Sequence, residues 1–224
     1  MNLFSYESKP MQLLIFLGDL LLLNLVFLVC CIPIFTIGAA QAGLFTGIRV
    51  LTDPDDESSA TMAFFRGFAN GFGKVTIAWG ILTILLAGIV FAGYVAILNG
   101  SSVWITLVAI CVGILFQSQV APFHSRFSCT SLQLIRNTWF MVIAHPLRSI
   151  AVAALIWLPV VVFLLNAYTF MMLTPIWMTI YYSGACLFAY SLLKKPFATL
   201  IAHFNETNNK NTAAIEEPEE TPVE

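Results

Sequence analysis

Residues 11–36, MQLLIFLGDLLLLNLVFLVCCIPIFT, decide the fold class of this chain. An apolar run of about 25 residues, with a rise of about 1.5 Å per residue, crosses a hydrocarbon core of about 30 Å. The run contains Asp19 and Asn24, and Pro33 closes it. Because polar side chains are costly beside acyl chains, we expect Asp19 and Asn24 to face protein and to line a helical bundle.

The composition of the whole chain indicates the same class. Of its 224 residues, 59% are hydrophobic and only 10% are charged, whereas charged residues make up about a quarter of a soluble domain. We therefore predict an all-α, polytopic membrane protein without a sizeable soluble domain. The acidic residues gather at residues 53–57 and in the tail after Glu206. Nucleic acid is not an expected partner of such a chain.

Hydrophobic runs and turn residues predict about five transmembrane helices within a bundle of residues 11–197. Two amphipathic linkers, residues 60–74 and 123–145, are expected to lie in the headgroup region. Residues 1–10 form a short extracytoplasmic segment, and residues 198–224 form an acidic, disordered cytoplasmic tail. The predicted spans lie near residues 11–36, 75–98, 103–121, 146–168 and 171–193. Pro122 is expected to end the third of these helices.

A segment rich in small residues, Ile37–Leu51, follows the first span and contains Gly43 and Gly47. Their spacing of four residues places both glycines on one face of a helix. Small residues permit the close approach of a neighbouring helix. We interpret this segment as a packing helix between spans and not as a ligand site.

The two linkers combine aromatic and basic residues. Aromatic side chains bury in the membrane interface, whereas Lys and Arg contact anionic lipid or acidic loops of a partner. We expect the linkers to form one basic ledge, with Arg66, Lys74, Arg126 and Arg136 as its cations. A role in anchoring the bundle to lipid headgroups and a role in binding a partner both remain open. The apolar members of the ledge are Phe64, Phe65, Phe68 and Phe72 in the first linker and Leu132, Ile135, Trp139 and Phe140 in the second.

The distribution of positive charge predicts the orientation. With five spans, nine of the ten Lys and Arg residues fall on one side of the membrane, and Lys9 alone falls on the other. Since Lys and Arg are retained in the cytoplasm, we expect the linkers and the C-terminus inside and the N-terminus outside.

The sequence contains no catalytic pattern. His124, His145 and His203 lack the spacing of a zinc site, and the cysteines form no C-x-x-C pair. Walker A, dinucleotide-binding and G-x-S-x-G motifs are also absent. We expect neither an enzyme nor a metal or cofactor. Asp19 could act in a proton or cation relay or could be a structural, hydrogen-bonding group. We favour the structural role because relays draw on several buried ionisable groups.

Short motifs along residues 11–197 resemble the YesL family of bacterial membrane proteins. They are LLLLN at residues 20–24, CIP at 31–33, TIGAA at 36–40, FFRGF at 64–68 with Asn70, Phe72, Lys74, Thr76 and Trp79, then Arg136-Asn137 and His145-Pro146. The family is assigned to a domain of unknown function and has no established catalytic residues. The resemblance implies a bacterial cell membrane and a setting beside ABC-type carbohydrate importers and polysaccharide-degrading enzymes.

Two functions are compatible with these features. An accessory subunit would bind the permease subunits of a sugar importer through an intramembrane face and the basic ledge, within reach of an ATPase subunit. An independent small transporter or channel would need a polar path near Asp19 and Asn24, together with Gln117, Gln119 or Asn166. We expect the accessory role. The residues expected to line the bundle or to bind a partner are Asp19, Asn24, Gly43, Gly47, Phe64, Arg66, Phe68, Arg126 and Arg136.

Overall fold

The computed structural model describes residues 9–53, 58–100, 102–127 and 130–216, and within these residues it contains helices and turns but no strand. Six helical segments are long and apolar enough to cross a membrane. The prediction of an all-α, polytopic membrane protein is therefore confirmed. The candidate spans are Pro10–Cys30, Ile34–Leu51, Lys74–Leu98, Val103–His124, Pro146–Leu165 and Thr174–Thr199.

The predicted spans all have counterparts among these segments, and Ile34–Leu51 is an additional candidate. A 3-10 turn, Ile34–Thr36, precedes α2, and a π-helical turn, Trp177–Tyr181, precedes α10. The α-helices are α1 (Lys9–Cys30), α2 (Ile37–Leu51), α3 (Ala60–Phe72), α4 (Lys74–Leu98), α5 (Val103–His124), α6 (Ser131–Ala144), α7 (Pro146–Leu165), α8 (Ala167–Met172), α9 (Thr174–Ile176) and α10 (Tyr182–Glu216).

Helix α2 lies at the centre of the bundle. It contacts α1, α3, α4, α5 and α10, and its residues Ala39, Ala40 and Ala42 are fully buried. Small side chains let neighbouring helices approach the α2 backbone closely. The segment that the sequence identifies as a packing helix between spans is thus the core of the fold.

Gly43 and Gly47, two of the three glycines of α2, lie where a side chain would not fit. A Cβ atom on Gly43 would be 2.8 Å from the carbonyl oxygen of Phe64 in α3. On Gly47 it would be 3.0 Å from the carbonyl oxygen of Ala60 and 2.9 Å from a methyl group of Leu23 in α1. Gly43 and Gly47 therefore line contacts inside the bundle.

Helices α1 and α2 are antiparallel. The hydroxyl of Thr36, just before α2, donates a hydrogen bond of 2.5 Å to the carbonyl oxygen of Cys30 at the end of α1. Further along α2, Gly47 meets Leu23, which lies earlier in α1. The start of α1 and the end of α2 therefore point to the same end of the bundle.

Helices α3 and α4 also run antiparallel to α2. Gly38 at the start of α2 lies against Trp79 of α4, whereas Gly47 near its end lies against Ala60 at the start of α3. Gly73, which joins α3 to α4, has helical backbone angles. The two helices consequently continue in one direction, parallel to α1.

Helix α10 returns to the end of the bundle at which α1 begins. The ring of Tyr182, its first residue, lies 5.2 Å from the ring of Phe27 in α1. Farther along α10, Lys194 shares a cavity with Thr52, which follows α2. These contacts bring the start of α1 and the later part of α10 to the same end of the bundle.

The last candidate span is interrupted by the π-helical turn, and Asn24 of α1 lies at the interruption. The amide nitrogen of Asn24 donates to the Met178 carbonyl oxygen at 2.8 Å. Its amide oxygen accepts from the Ser183 backbone N–H at 3.1 Å. The fully buried Asn24 side chain thus bonds to backbone groups of the interrupted helix.

Two helices extend past their predicted ends. Pro122 lies inside α5, which continues to His124, because a proline this close to a helix end removes only one late hydrogen bond. Helix α10 continues to Glu216, although the sequence predicts disorder from residue 198. The chain has neither glycine nor proline between Pro196 and Pro218, so no residue interrupts the helix there. Residues 1–8 and 217–224 of the predicted terminal segments lie outside the described residues.

The second linker forms α6, which has two apolar sides. Leu134 is buried against the bundle, whereas Leu132 and Phe140 are 79% and 64% exposed. Trp139 stacks on Phe116 of α5 with 4.1 Å between ring centroids. One apolar side therefore fixes α6 to the protein, and the other is available to lipid.

Candidate functional site

A cavity of about 490 Å³, here called the basic cavity, lies at the end of the bundle where α2 ends and α3 begins. Four of its lining side chains are cations: Arg49, Arg66, Lys74 and Arg126. Among the described residues that line it, none is acidic. The other lining residues are Thr46, Val50, Ser58, Ala63, Gly67, Asn70, His124, Ser125 and Phe127.

Helices α3 and α4 supply one row of polar side chains to the basic cavity. Arg66, Asn70 and Lys74 follow one another at intervals of four residues, and all three are exposed. Residues four apart lie on the same face of a helix. Since helical backbone continues through Gly73, the row extends from α3 into α4.

Glycines on another face of α3 bring this row close to α2. A Cβ atom on Gly67 would be 2.5 Å from the hydroxyl oxygen of Thr46. On Gly71 it would be 3.2 Å from the Ala42 side chain. Arg49 lies in the last turn of α2, three residues after Thr46. The close packing of the two helices therefore places Arg49 beside the cations of α3 and α4.

Arg126 closes the cavity from the segment that follows α5. Its guanidinium donates a hydrogen bond to the Tyr190 hydroxyl of α10. The guanidinium carbon also lies 5.4 Å from the centroid of the Tyr190 ring, within the range of a cation–π interaction. Arg126 is thus held against the bundle and is half-buried.

The charges of the basic cavity favour an anion. Like charges gathered around one space raise the local potential and attract negatively charged groups. Arg49 and Arg126 are half-buried, so solvent and salt screen them less than fully exposed cations. Arginine also presents several N–H groups in a planar arrangement that matches carboxylate and phosphate oxygens.

The cations of the predicted basic ledge do not all lie together in the structure. Arg66, Lys74 and Arg126 line the basic cavity, whereas Arg136 is an exposed residue of α6 outside its lining. Phe64 lies in the protein core, fully buried, because Gly43 leaves room for it. The expectation that Phe64 inserts into the membrane interface is therefore wrong.

Phe68 is half-buried and stacks on Phe64 with 6.3 Å between ring centroids. Arg49 and His124 also line the basic cavity, although no sequence pattern predicted a role for them there. The position of Arg49 at the end of an apolar helix is a signal that could have identified it. The place of His124 depends on packing between distant segments, since its ring lies near Gly71 of α3.

The other polar residues expected in the spans have hydrogen-bond partners different from those of Asn24 where the structure shows any. Asp19 is half-buried, and neither Asp19 nor Asn24 lines the basic cavity. The Gln117 amide donates to the Thr83 hydroxyl at 2.7 Å, and the Gln119 amide donates to the Ser149 carbonyl oxygen at 3.4 Å. These side chains link neighbouring helices.

Asn166, the remaining polar candidate, ends α7 and begins α8. Its side-chain oxygen accepts hydrogen bonds from the backbone N–H groups of Tyr168, at 2.9 Å, and Thr169, at 3.3 Å. It therefore serves as the N-cap of α8. Within the described residues, no group of three or more His, Cys, Asp and Glu side chains is placed to hold a metal ion.

Comparison with known proteins identifies one family. Residues 20–94 match the model described as "Protein of unknown function, DUF624", the domain family of YesL-like proteins. The matched segment runs from within α1 to within α4 and includes Asn24, Arg49, Arg66 and Lys74. Arg126 lies outside it. No curated protein and no solved structure matches the chain.

Proposed function

We propose that the protein, whose residues 20–94 match the DUF624 model of YesL-like proteins, is an accessory subunit of a bacterial ABC-type carbohydrate importer. In this role it binds the permease subunits and contributes to the assembly or regulation of the importer. The observation that carries the proposal is the gathering of cations at one end of a bundle whose centre, α2, is closely packed. Such a protein is suited to binding a partner at the membrane surface.

The proposal places the basic cavity on the cytoplasmic side of the bacterial cell membrane. The contacts of α1, α2 and α10 bring the start of α1 and Lys194 to the end that carries the cavity. Six crossings, one by each candidate span, would leave both termini on that side. Because Lys and Arg are retained in the cytoplasm, we assign this basic end to the cytoplasm. The ATPase subunits of an importer meet its permease at the same level.

The alternative is an independent small transporter or channel with a polar path near Asp19 and Asn24. A transported solute would need polar groups that are free to exchange partners along the path. The Asn24 amide is instead engaged with backbone groups of the interrupted helix. This engagement favours the accessory subunit over the transporter.

Charge reversal on the exposed basic surface tests the proposal. We expect Arg66→Glu combined with Arg136→Glu to lower co-purification of importer chains from native membranes, because acidic partner loops would then meet negative charge. Sugar-stimulated ATP hydrolysis should fall in parallel. Mass spectrometry of the co-purified chains and an ATPase assay measure the two effects.

The matched control is Lys194→Glu combined with Lys195→Glu. Both lysines are exposed on α10, and the pair changes the net charge by the same amount. We expect this control to insert normally and to retain the importer chains. Unchanged co-purification in the Arg66 and Arg136 variant, at equal expression, would contradict the accessory role of this surface.

A further inference from the structure

We propose that the basic cavity is a binding site for a phosphate-bearing anion, supplied by a phospholipid headgroup or by free phosphate. Its cations come from α2, α3, α4 and the segment after α5, so that Arg49, Arg66, Lys74 and Arg126 surround one space. Phosphate oxygens accept several hydrogen bonds at once, and guanidinium groups donate them in pairs. The inference requires no importer and can fail or hold independently of the proposed function.

The cavity also has unused hydrogen-bonding capacity. Arg126 Nε and His124 Nδ1 are buried and have no hydrogen-bond partner in the described part of the chain. Buried polar atoms in proteins are nearly always bonded to protein, water or an ion. Both residues line the basic cavity. A small movement of the Arg126 side chain would bring this N–H group within reach of an oxygen atom in the cavity.

The dimensions suit more than a bare ion. Small-molecule sites typically enclose about 300–1,000 Å³, and the basic cavity encloses about 490 Å³. The neutral lining residues Asn70 and Ser125 add hydrogen-bonding groups beside the cations. A phosphate together with the polar part that it esterifies therefore fits the volume and the chemistry.

The exposed side of α3 indicates that the cavity lies at the depth of lipid headgroups. Phe65 and Phe72 of α3 are exposed, while Arg66 of α3 and Lys74 at the start of α4 line the cavity. A helix with aromatic residues on one side and cations on another lies at the boundary between hydrocarbon and headgroups. Anionic lipid phosphates are concentrated at this depth.

The chain itself contains a competing anion. Asp53 and residues 55–57, DDE, connect α2 to α3 in the sequence, and residues 54–57 lie outside the described residues. If these carboxylates neutralise the cations, neutralising the carboxylates should lower stability. If the cavity accepts an external phosphate, the same change should leave phosphate affinity equal or higher.

Two binding measurements on the full chain distinguish the sources of phosphate. The first titrates inorganic phosphate into protein in neutral detergent at constant ionic strength and follows heat and melting temperature. The second places the protein in phosphatidylcholine nanodiscs with phosphatidylglycerol and measures retained lipid by native mass spectrometry. Retention of phosphatidylglycerol without binding of free phosphate identifies a headgroup site. Binding of free phosphate alone identifies a soluble anion.

Arg49→Gln combined with Lys74→Gln should weaken the observed binding by about tenfold or more, because charge-assisted hydrogen bonds are lost. The control is Arg136→Gln combined with Lys195→Gln, which removes the same charge from exposed residues outside the cavity lining. We expect the control to bind like the unmodified protein.

Three results would overturn the proposal. The first is the absence of binding in both measurements. The second is equal binding by the cavity variant and the control. The third is a loss of stability, with no phosphate binding, when Asp55→Asn, Asp56→Asn and Glu57→Gln are combined, since the cations would then serve the chain's own carboxylates.

Discussion

Asn24 is the residue on which the interrupted span depends. In a membrane no water replaces a lost backbone hydrogen bond, so an interruption of a helix needs a partner from the protein. The Asn24 side chain supplies a donor for the Met178 carbonyl and an acceptor for the Ser183 N–H. One amide therefore satisfies both sides of the π-helical turn and joins α1 to the last span.

Replacement of this amide tests its contribution to stability. We expect Asn24→Leu to lower the free energy of unfolding by about 1–2 kcal/mol, because it leaves backbone groups of Met178 and Ser183 without partners. Equilibrium unfolding in detergent, followed by tryptophan fluorescence, measures the loss. Asp19→Asn is the control, since half-buried Asp19 should tolerate an amide. Equal stability of Asn24→Leu and the unmodified protein would show that the interrupted helix needs no such partner.

The sequence predicts that Asn24 contacts protein, but it does not identify the residues to which Asn24 bonds. The cost of a polar group in lipid predicts that Asn24 faces protein. Its partners lie more than 150 residues away along the chain, and no local pattern identifies them. Arg126 illustrates the same limit, because its contact with Tyr190 depends on the packing of α10 against the segment after α5.

Among the helix contacts, the one between α2 and α3 is close because glycines of both helices lie in it. Phe64 fills the space beside Gly43, and its ring lies 3.2 Å from the position of a Cβ on that glycine. Backbone atoms cannot move away from an added methyl group without moving the helix. The basic cavity lies at this crossing, so the packing of these helices also sets the spacing of its cations.

An added methyl group tests the crossing. We expect Gly43→Ala to lower the free energy of unfolding by about 1–3 kcal/mol through overpacking. Gly80→Ala is the matched control, because nothing lies within 4 Å of a Cβ at that position of α4, and alanine is the better helix former. Thermal unfolding of the two variants in the same detergent provides the comparison. A Gly43→Ala protein as stable as the control would show that α3 can shift freely on α2.

The long apolar helices α4, α5 and α7 are predictable because each has an uninterrupted hydrophobic run between turn residues. Helix α2 is harder to classify, since its alanines and glycines lower its hydropathy while the surrounding helices bury it. A hydropathy profile does not predict the π-helical turn before α10, because it averages hydrophobicity over a window longer than the turn. The burial of α2 and the π-helical turn before α10 both depend on tertiary contacts, which a single-sequence pattern does not contain.

For the whole molecule, a crossing by α2, added to the five predicted spans, would change the side of the membrane to which Lys9 is assigned. With an even number of crossings, Lys9 joins the other basic residues on one side, and no Lys or Arg of the chain is assigned to the opposite side. The positive-inside rule is then satisfied more fully than with five spans. In the proposed orientation, the basic cavity lies on this same, cytoplasmic side.

Labelling of single cysteines in a cysteine-free background tests this arrangement. We expect Ser102→Cys, between α4 and α5, to react with a membrane-impermeant maleimide added outside intact cells. Ser8→Cys before α1 and Thr199→Cys in α10 should react only after permeabilisation, because the start of α1 and the later part of α10 lie toward the basic end. Denatured protein serves as the control for the reactivity of each cysteine. Labelling of Ser8→Cys from outside, with Thr199→Cys protected, would instead restore an odd number of crossings and place α2 entirely on the cytoplasmic side.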